Sequence, residues 1–165
     1  MGPTAKPTER SATFRLGLLN KVENGLLLSE GLSSRIIANS NQRVRYGDGS
    51  VSVNTFHTQP GGGDCFEDIS PNNQDGWILL SGSDQTEGGV GAITFNAQGL
   101  AIKYEMIFEG SSNNALGGKT IGEFWVTGEK DAETLNGMVY QIDPFGRYEP
   151  TIIEAFTEEG GAWQG

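Results

Sequence analysis

One cysteine, Cys65, and one histidine, His57, stand among 165 residues. A single cysteine excludes an internal disulfide and a thiolate zinc site. A Ser-His-Asp triad would have only His57 to use, and no G-x-S-x-G turn accompanies it. Basic residues are few: 11 Lys and Arg face 21 Asp and Glu, for a formal charge of −10. So negative a surface repels phosphate backbones, which argues against nucleic acid as a partner and leaves solubility or the holding of hard cations such as Ca²⁺. No run of about 18 apolar residues is present, so no membrane span is expected. Met1 to Arg15 lacks the apolar core of a secretory signal. Proline is scarce, at 6 residues, whereas glycine reaches 25 without a G-X-Y period. That balance fits many tight turns between short strands.

What is present is a repeat. Trp77-Ile78-Leu79-Leu80-Ser81-Gly82 is echoed 48 residues later by Trp125-Val126-Thr127-Gly128. Ile93-Thr94-Phe95-Asn96, running into Gly99, is echoed by Tyr140-Gln141-Ile142-Asp143, running into Gly146. Each copy reads as a short apolar strand, a polar gap, an alternating strand, a glycine turn and a further strand. Periods near this length with several strands per unit mark β-propeller blades, and a blade needs a neighbour on each face. The expected fold is all-β: a partial β-propeller of about three blades, each a four-stranded antiparallel sheet, in an incomplete ring. Such a ring implies a piece of a longer chain, a truncated copy, or an arc that closes by self-association. Residues 1–15 read as a flexible tail and residues 16–165 as the propeller.

Along the chain, Phe14, Leu18 and Val22 stand four apart and permit one helical face stopped by Asn24-Gly25, with an irregular segment as the alternative. Leu26-Leu27-Leu28 and Arg35-Ile36-Ile37-Ala38 read as strands around Glu30-Gly31. Gln42 to Tyr46 and Val51 to Phe56 read as a hairpin through Gly47-Asp48-Gly49. Pro60-Gly61-Gly62-Gly63-Asp64 reads as a loop, and so does Ser70 to Gly76. No Lys-Ser/Thr follows the glycine run, so it is not a phosphate loop. In Ala101 to Phe108, Ile102, Tyr104 and Met106 alternate with Ala101, Lys103, Glu105 and Ile107, as on a strand. Gly110 to Asn114 is expected to be a loop and Gly117-Gly118 a turn.

The run Asn114-Ala115-Leu116-Gly117-Gly118-Lys119-Thr120, then Trp125-Val126-Thr127-Gly128-Glu129, then Gly137 to Pro144, resembles the PhoX-type alkaline phosphatase family. Its members carry Asn-Cys-x-Gly-Gly-x-Thr-Pro-Trp-x-x-Trp-x-x-Cys-Glu-Glu, followed by Tyr-x-Val-Asp-Pro. Gly76-Trp77-Ile78 to Ser81 and Gly88 to Ile93 are similar to the preceding family blade. Gly25 to Leu28 and Arg35 to Ala38 are similar to its opening strands.

The resemblance implies a six-bladed propeller, phosphate-monoester hydrolysis, and bound iron and calcium, with a phosphate-ester small molecule as substrate and mostly exported members. A cysteine thiolate there helps hold the iron pair, and carboxylates hold the calcium ions. The resemblance therefore points to Asn114 and Glu129 as catalytic positions, and to Glu129, Asp84 and Asp64 as metal-ligand positions. This chain departs from the pattern at the family's two cysteines, which are Ala115 and Gly128, and at the second glutamate, which is Lys130. Glycine offers no donor atom, and a lysine beside a cation lowers its affinity. The alternative to a phosphatase is a non-catalytic propeller module for binding or assembly, in which Glu129 is an ordinary strand-end charge, Asp84 a turn residue and Asn114 bonded within its own turn. A calcium-binding structural domain is a third reading.

Overall fold

The computed structural model describes residues 19–29, 31–114, 117–129 and 137–153. They form twelve strands, and no helix occurs among the described residues, so none is long and apolar enough to cross a membrane. All pairings are antiparallel, in four open sheets. Two compact units divide between Ile36 and Ile37. The tail expected at residues 1–15 lies outside the described residues, as do Phe14 and Leu18.

In the first unit, β1 (Leu19–Glu23) pairs with β2 (Leu26–Ser29) through Asn24 and Gly25, both at positive φ. Asn-Gly is a preferred two-residue hairpin turn because both positions tolerate left-handed backbone. Asn24-Gly25 thus joins two strands, and Leu19–Glu23 is extended where one sequence reading allowed a helix. The stretch Arg35 to Ala38, expected as the partner of Leu26 to Leu28, is not a strand. Its place is taken by β1, because a tight turn brings that partner closer in sequence. Ser34 ties the following segment back: its N–H donates to the Glu23 carboxylate at 3.0 Å and its hydroxyl to the Glu23 carbonyl at 3.1 Å.

The second unit holds three sheets. The expected hairpin forms from β3 (Arg43–Arg45) and β4 (Val51–Thr55). The central sheet is a meander of β5 (Pro60–Glu67), β6 (Trp77–Ser83), β7 (Gly88–Phe95) and β8 (Ala101–Ser111). A third sheet repeats that meander with β9 (Gly117–Lys119), β10 (Trp125–Gly128), β11 (Val139–Ile142) and β12 (Thr151–Ile152).

Side-chain alternation explains the stacking. From β6 and β7, Ile78, Leu80, Val90 and Ala92 join Trp125 and Ile142 of the third sheet in one core. The opposite faces send Ile93 and Phe95 to Val44 and Phe56 of the hairpin, with Trp77 and Leu79 packed against them. The central sheet is covered on both sides, which is why β6 reads Trp-Ile-Leu-Leu instead of alternating apolar with polar. Consecutive-strand meanders stacked face to face are the arrangement of a partial β-propeller. Two of the four sheets have four strands as expected, and two are hairpins.

The repeat is one of register. Trp77 opens β6 opposite Phe95, and Trp125 opens β10 opposite Ile142. Each strand is the second of its sheet. The following turns match too. Asn96 takes the Leu100 N–H on its side chain at 2.9 Å, with Gly99 at φ 71°. Asp143 takes the Arg147 N–H at 2.8 Å, with Gly146 at φ 63°.

Further expectations change in the second unit. Pro60 to Asp64 is not a loop but the start of edge strand β5, irregular around Gly62. A Cβ on Gly63 would lie 2.8 Å from the Leu80 carbonyl, so close approach of two backbones is what the glycine serves. Gly117-Gly118 is strand, not turn, and a Cβ on Gly117 would meet the Trp125 ring at 2.2 Å. Gly110 and Ser111 still belong to β8. Within β8, register shifts beside Phe95 and Gly91 interrupt the alternation. Ile102 is thereby left 41% exposed while Ala101 and Tyr104 share a core.

Candidate functional site

Asn114 and Glu129 come together around the start of the third sheet. The Asn114 N–H donates to the Ser83 carbonyl at 3.1 Å, which carries the incoming segment across the end of β6. Gly82 makes that crossing possible, since a Cβ there would lie 2.1 Å from the Asn114 carbonyl oxygen. The Asn114 side chain is fully buried. Its oxygen accepts from the Ser111 hydroxyl, and its amide nitrogen faces Thr127 Oγ1 at 3.4 Å.

Glu129 follows β10. Its Oε1 accepts the Ser112 N–H at 2.8 Å, and its Oε2 lies 3.3 Å from the donating Tyr140 hydroxyl. Burial, and then the charge of Glu129, push the Tyr140 phenol above its ordinary range. Phe108 packs on the same ring at 4.7 Å between centroids.

The repeat shows what is unusual here. Thr127 and Tyr140 face each other in the third sheet at the positions Leu79 and Ile93 fill in the central one. A polar pair has replaced an apolar one. Glu129 corresponds likewise to Ser81, whose hydroxyl bonds His57 Nε2 at 2.9 Å. Ser111, Ser112 and Tyr140 were not named as site residues from the sequence. Tyr140 in place of an aliphatic residue at the repeat position is the one mark that would have found the network.

The other two positions are placed differently. Asp84 follows β6, its N–H donating to the Gln59 carbonyl at 3.0 Å, next to the Ser83 carbonyl that holds Asn114. Asp64 lies in β5 opposite Leu80, with its carboxylate accepting its neighbour's N–H, that of Cys65, at 2.7 Å. The Ser83 end of β6 pairs with Pro60, and Leu80, opposite Asp64, is three residues of β6, roughly 10 Å of strand, from that end. Among the described residues no group of three or more His, Cys, Asp and Glu gathers in one place. Lys130 lies outside them.

An iron pair needs several anionic or soft donors, and calcium needs six to eight oxygens. Here Gly128 supplies none, and the single carboxylate of Glu129 already holds an N–H and a hydroxyl. This described donor set does not fit an iron pair. No family model matches the chain, and neither the curated proteins nor the solved structures give a match to it.

His57 belongs to a second polar cluster, between the central sheet and the β3–β4 hairpin. Its Nδ1 lies 3.2 Å from the Tyr104 hydroxyl, which also accepts the His57 backbone N–H at 3.0 Å. The ring rests over Gly91, where a Cβ would be 2.5 Å from Nδ1. Burial lowers the imidazole pKa to about 4, so it is neutral near pH 7. Ser81 and His57 have the spacing of a nucleophile and its base, with Ser81 half-buried and His57 buried beside the Tyr104 hydroxyl.

Proposed function

We propose that this chain is a non-catalytic propeller module for binding and assembly. The observation that carries the reading is the state of Glu129: each carboxylate oxygen accepts a hydrogen bond, one from the Ser112 N–H and one from the Tyr140 hydroxyl, joining the end of β10 to the residue after β8 and to β11. Charge at that position then serves packing. Asn114 serves the same end, buried and bonded to Ser111.

The outward face of the β3–β4 hairpin supplies a surface for assembly. Val44 and Ser52 turn inward, with the Ser52 hydroxyl accepting the Val44 N–H at 2.8 Å. Arg43, Arg45, Val51 and Val53 are exposed, Val53 at 84%. Two arginines beside β-branched residues, on a protein of charge −10, are complementary to the acidic surface of a second copy. Sedimentation velocity at several concentrations tests this. The expected result is a species heavier than the 17.7 kDa monomer that dissociates at high salt and in Val53→Glu. A monomer under every condition overturns self-association.

The PhoX-like resemblance supports the other reading, phosphate-monoester hydrolysis with iron and calcium. Hydrolysis of p-nitrophenyl phosphate in the presence of both metals separates the two. No turnover is expected. Turnover abolished by a chelator and by Glu129→Ala establishes the phosphatase instead.

A further inference from the structure

A cleft of about 290 Å³ opens where one end of the central sheet meets the turns of the third. Glu67 and Ile69 come from the end of β5 and the residues after it. Phe124 comes from the β9–β10 turn, and Phe145 and Arg147 from the turn after β11.

Ile69 on its wall is exposed, as are two residues next to the lining in sequence, Ile121 before Gly122 and Tyr148 after Arg147. Ile69 is 61% exposed, Tyr148 64%, and Ile121 wholly exposed. Ile121 sits at the tip of a turn closed by the Glu123 N–H on the Thr120 carbonyl at 3.1 Å. Turn tips favour Gly, Asn, Asp, Ser and Pro for conformational reasons, and none of those reasons applies to isoleucine. Exposed aliphatic and aromatic residues with an arginine in the cleft wall have the composition of a protein-binding hot spot.

The charges select the occupant. The Arg147 guanidinium is held by Asp143 through two contacts of 2.9 Å, and it lies over Phe145 at 4.5 Å. Lys119 pairs with Glu123 at 2.6 Å. Glu67, exposed on the cleft wall, has no ion-pair partner among the described residues. The cleft thus combines aromatic and aliphatic walls with one uncompensated carboxylate, on a chain of charge −10.

We propose that this cleft docks a segment of another protein that carries an aliphatic side chain next to a lysine or arginine. The aliphatic group enters between Phe124 and Phe145 and against Ile69, and the cation pairs with Glu67. The long-range field speeds encounter, while the apolar walls set which basic segment stays. The site lies away from the outward face of the β3–β4 hairpin and does not depend on self-association there.

Fluorescence anisotropy with three labelled peptides and the full chain tests the proposal: one rich in Lys and Ile, one in Lys and Ser, one in Glu and Ile. The Lys-Ile peptide is expected to bind at least about tenfold tighter than either other peptide. Glu67→Lys, a surface change whose circular dichroism should match wild type, is expected to weaken it about tenfold or more, and Ile121→Ser several-fold. Val53→Glu, which tests the hairpin surface, leaves it unchanged. Equal binding of the Lys-Ile and Lys-Ser peptides reduces the effect to bulk attraction and overturns the proposal. So does the absence of binding, or an unaltered affinity in Glu67→Lys. A sedimentation shift in Glu67→Lys or Ile121→Ser reassigns the cleft to a contact between copies, which also overturns it.

Discussion

The Ser81 hydroxyl lies 2.9 Å from His57 Nε2, and this contact ties the segment entering the central sheet to that sheet's second strand. The imidazole is buried, and its pKa falls to about 4, from 6.5 for the free side chain. Between those values the unfolded chain binds a proton that the folded chain does not. Stability from this residue is therefore complete above about pH 6.5 and is lost as pH falls toward 4, by up to about 3 kcal/mol. Urea melts from pH 8 to pH 4 on wild type and His57→Asn check this. The many carboxylates titrate in both proteins, so the difference in slope between them belongs to His57, and it should be steepest between pH 6.5 and 4.

Gly91 is expected to be as sensitive as any core residue. A methyl group there meets His57 Nδ1 at 2.5 Å and Cε1 at 2.7 Å, and the ring cannot retreat without leaving Ser81 and Tyr104. Gly91→Ala should cost about 1–3 kcal/mol by overpacking. In a His57→Ala background the same substitution should cost clearly less, because the atoms it strikes are gone. A double-mutant cycle by chemical denaturation reads the coupling directly.

How much of this was legible follows the physics of each signal. Trp77 and Trp125 could be matched because stacked sheets demand the same large side chain at the same register, and that demand leaves a period in the sequence. The glycines of β5 and β9 could not be read so, because a run such as Gly61-Gly62-Gly63 has the composition of a loop. Its reason for being strand, the Leu80 carbonyl 2.8 Å from where a Cβ would stand, is a long-range contact. The bulges of β8 were hidden likewise, since a register shift depends on the partner strand. At the candidate site, Asn114 and Glu129 came from an ordered likeness. Their partnership did not, because Ser112 contributes a backbone N–H, which every residue but proline owns.

The Asp143 turn should tolerate one substitution and not another. Asn96 builds the same turn in the central sheet with an amide oxygen, so Asp143→Asn keeps an acceptor for the Arg147 N–H. What it gives up is the ion pair with a half-exposed Arg147, worth about 1 kcal/mol or less. Asp143→Ala also removes the turn's acceptor, itself buried at 2% exposure, and should cost about 1–3 kcal/mol. Thermal melts of both variants, with Asn96→Ala as the reference for loss of the turn bonds alone, give the order Asp143→Asn, then Asp143→Ala. The reverse order would mean that the ion pair and not the turn geometry holds this corner.

Glu129 separates packing from cation binding most sharply. If its carboxylate serves Ser112 and Tyr140, Glu129→Ala strands an N–H and a phenol hydroxyl and costs about 1–3 kcal/mol. Glu129→Gln retains an acceptor oxygen and should lose markedly less. Neither wild type nor variant should then change its melting temperature when EDTA, Ca²⁺ or ferrous iron is added, because nothing that binds the folded state has been supplied or withdrawn. A resident cation gives the opposite pattern. EDTA would lower the wild-type melting temperature, the metal would restore it, and both Glu129→Gln and Glu129→Ala would be insensitive to either, since the amide oxygen replaces a hydrogen-bond acceptor but not a charged ligand. The contrast between the two substitutions, more than the size of either loss, tells which of the two tasks this carboxylate performs.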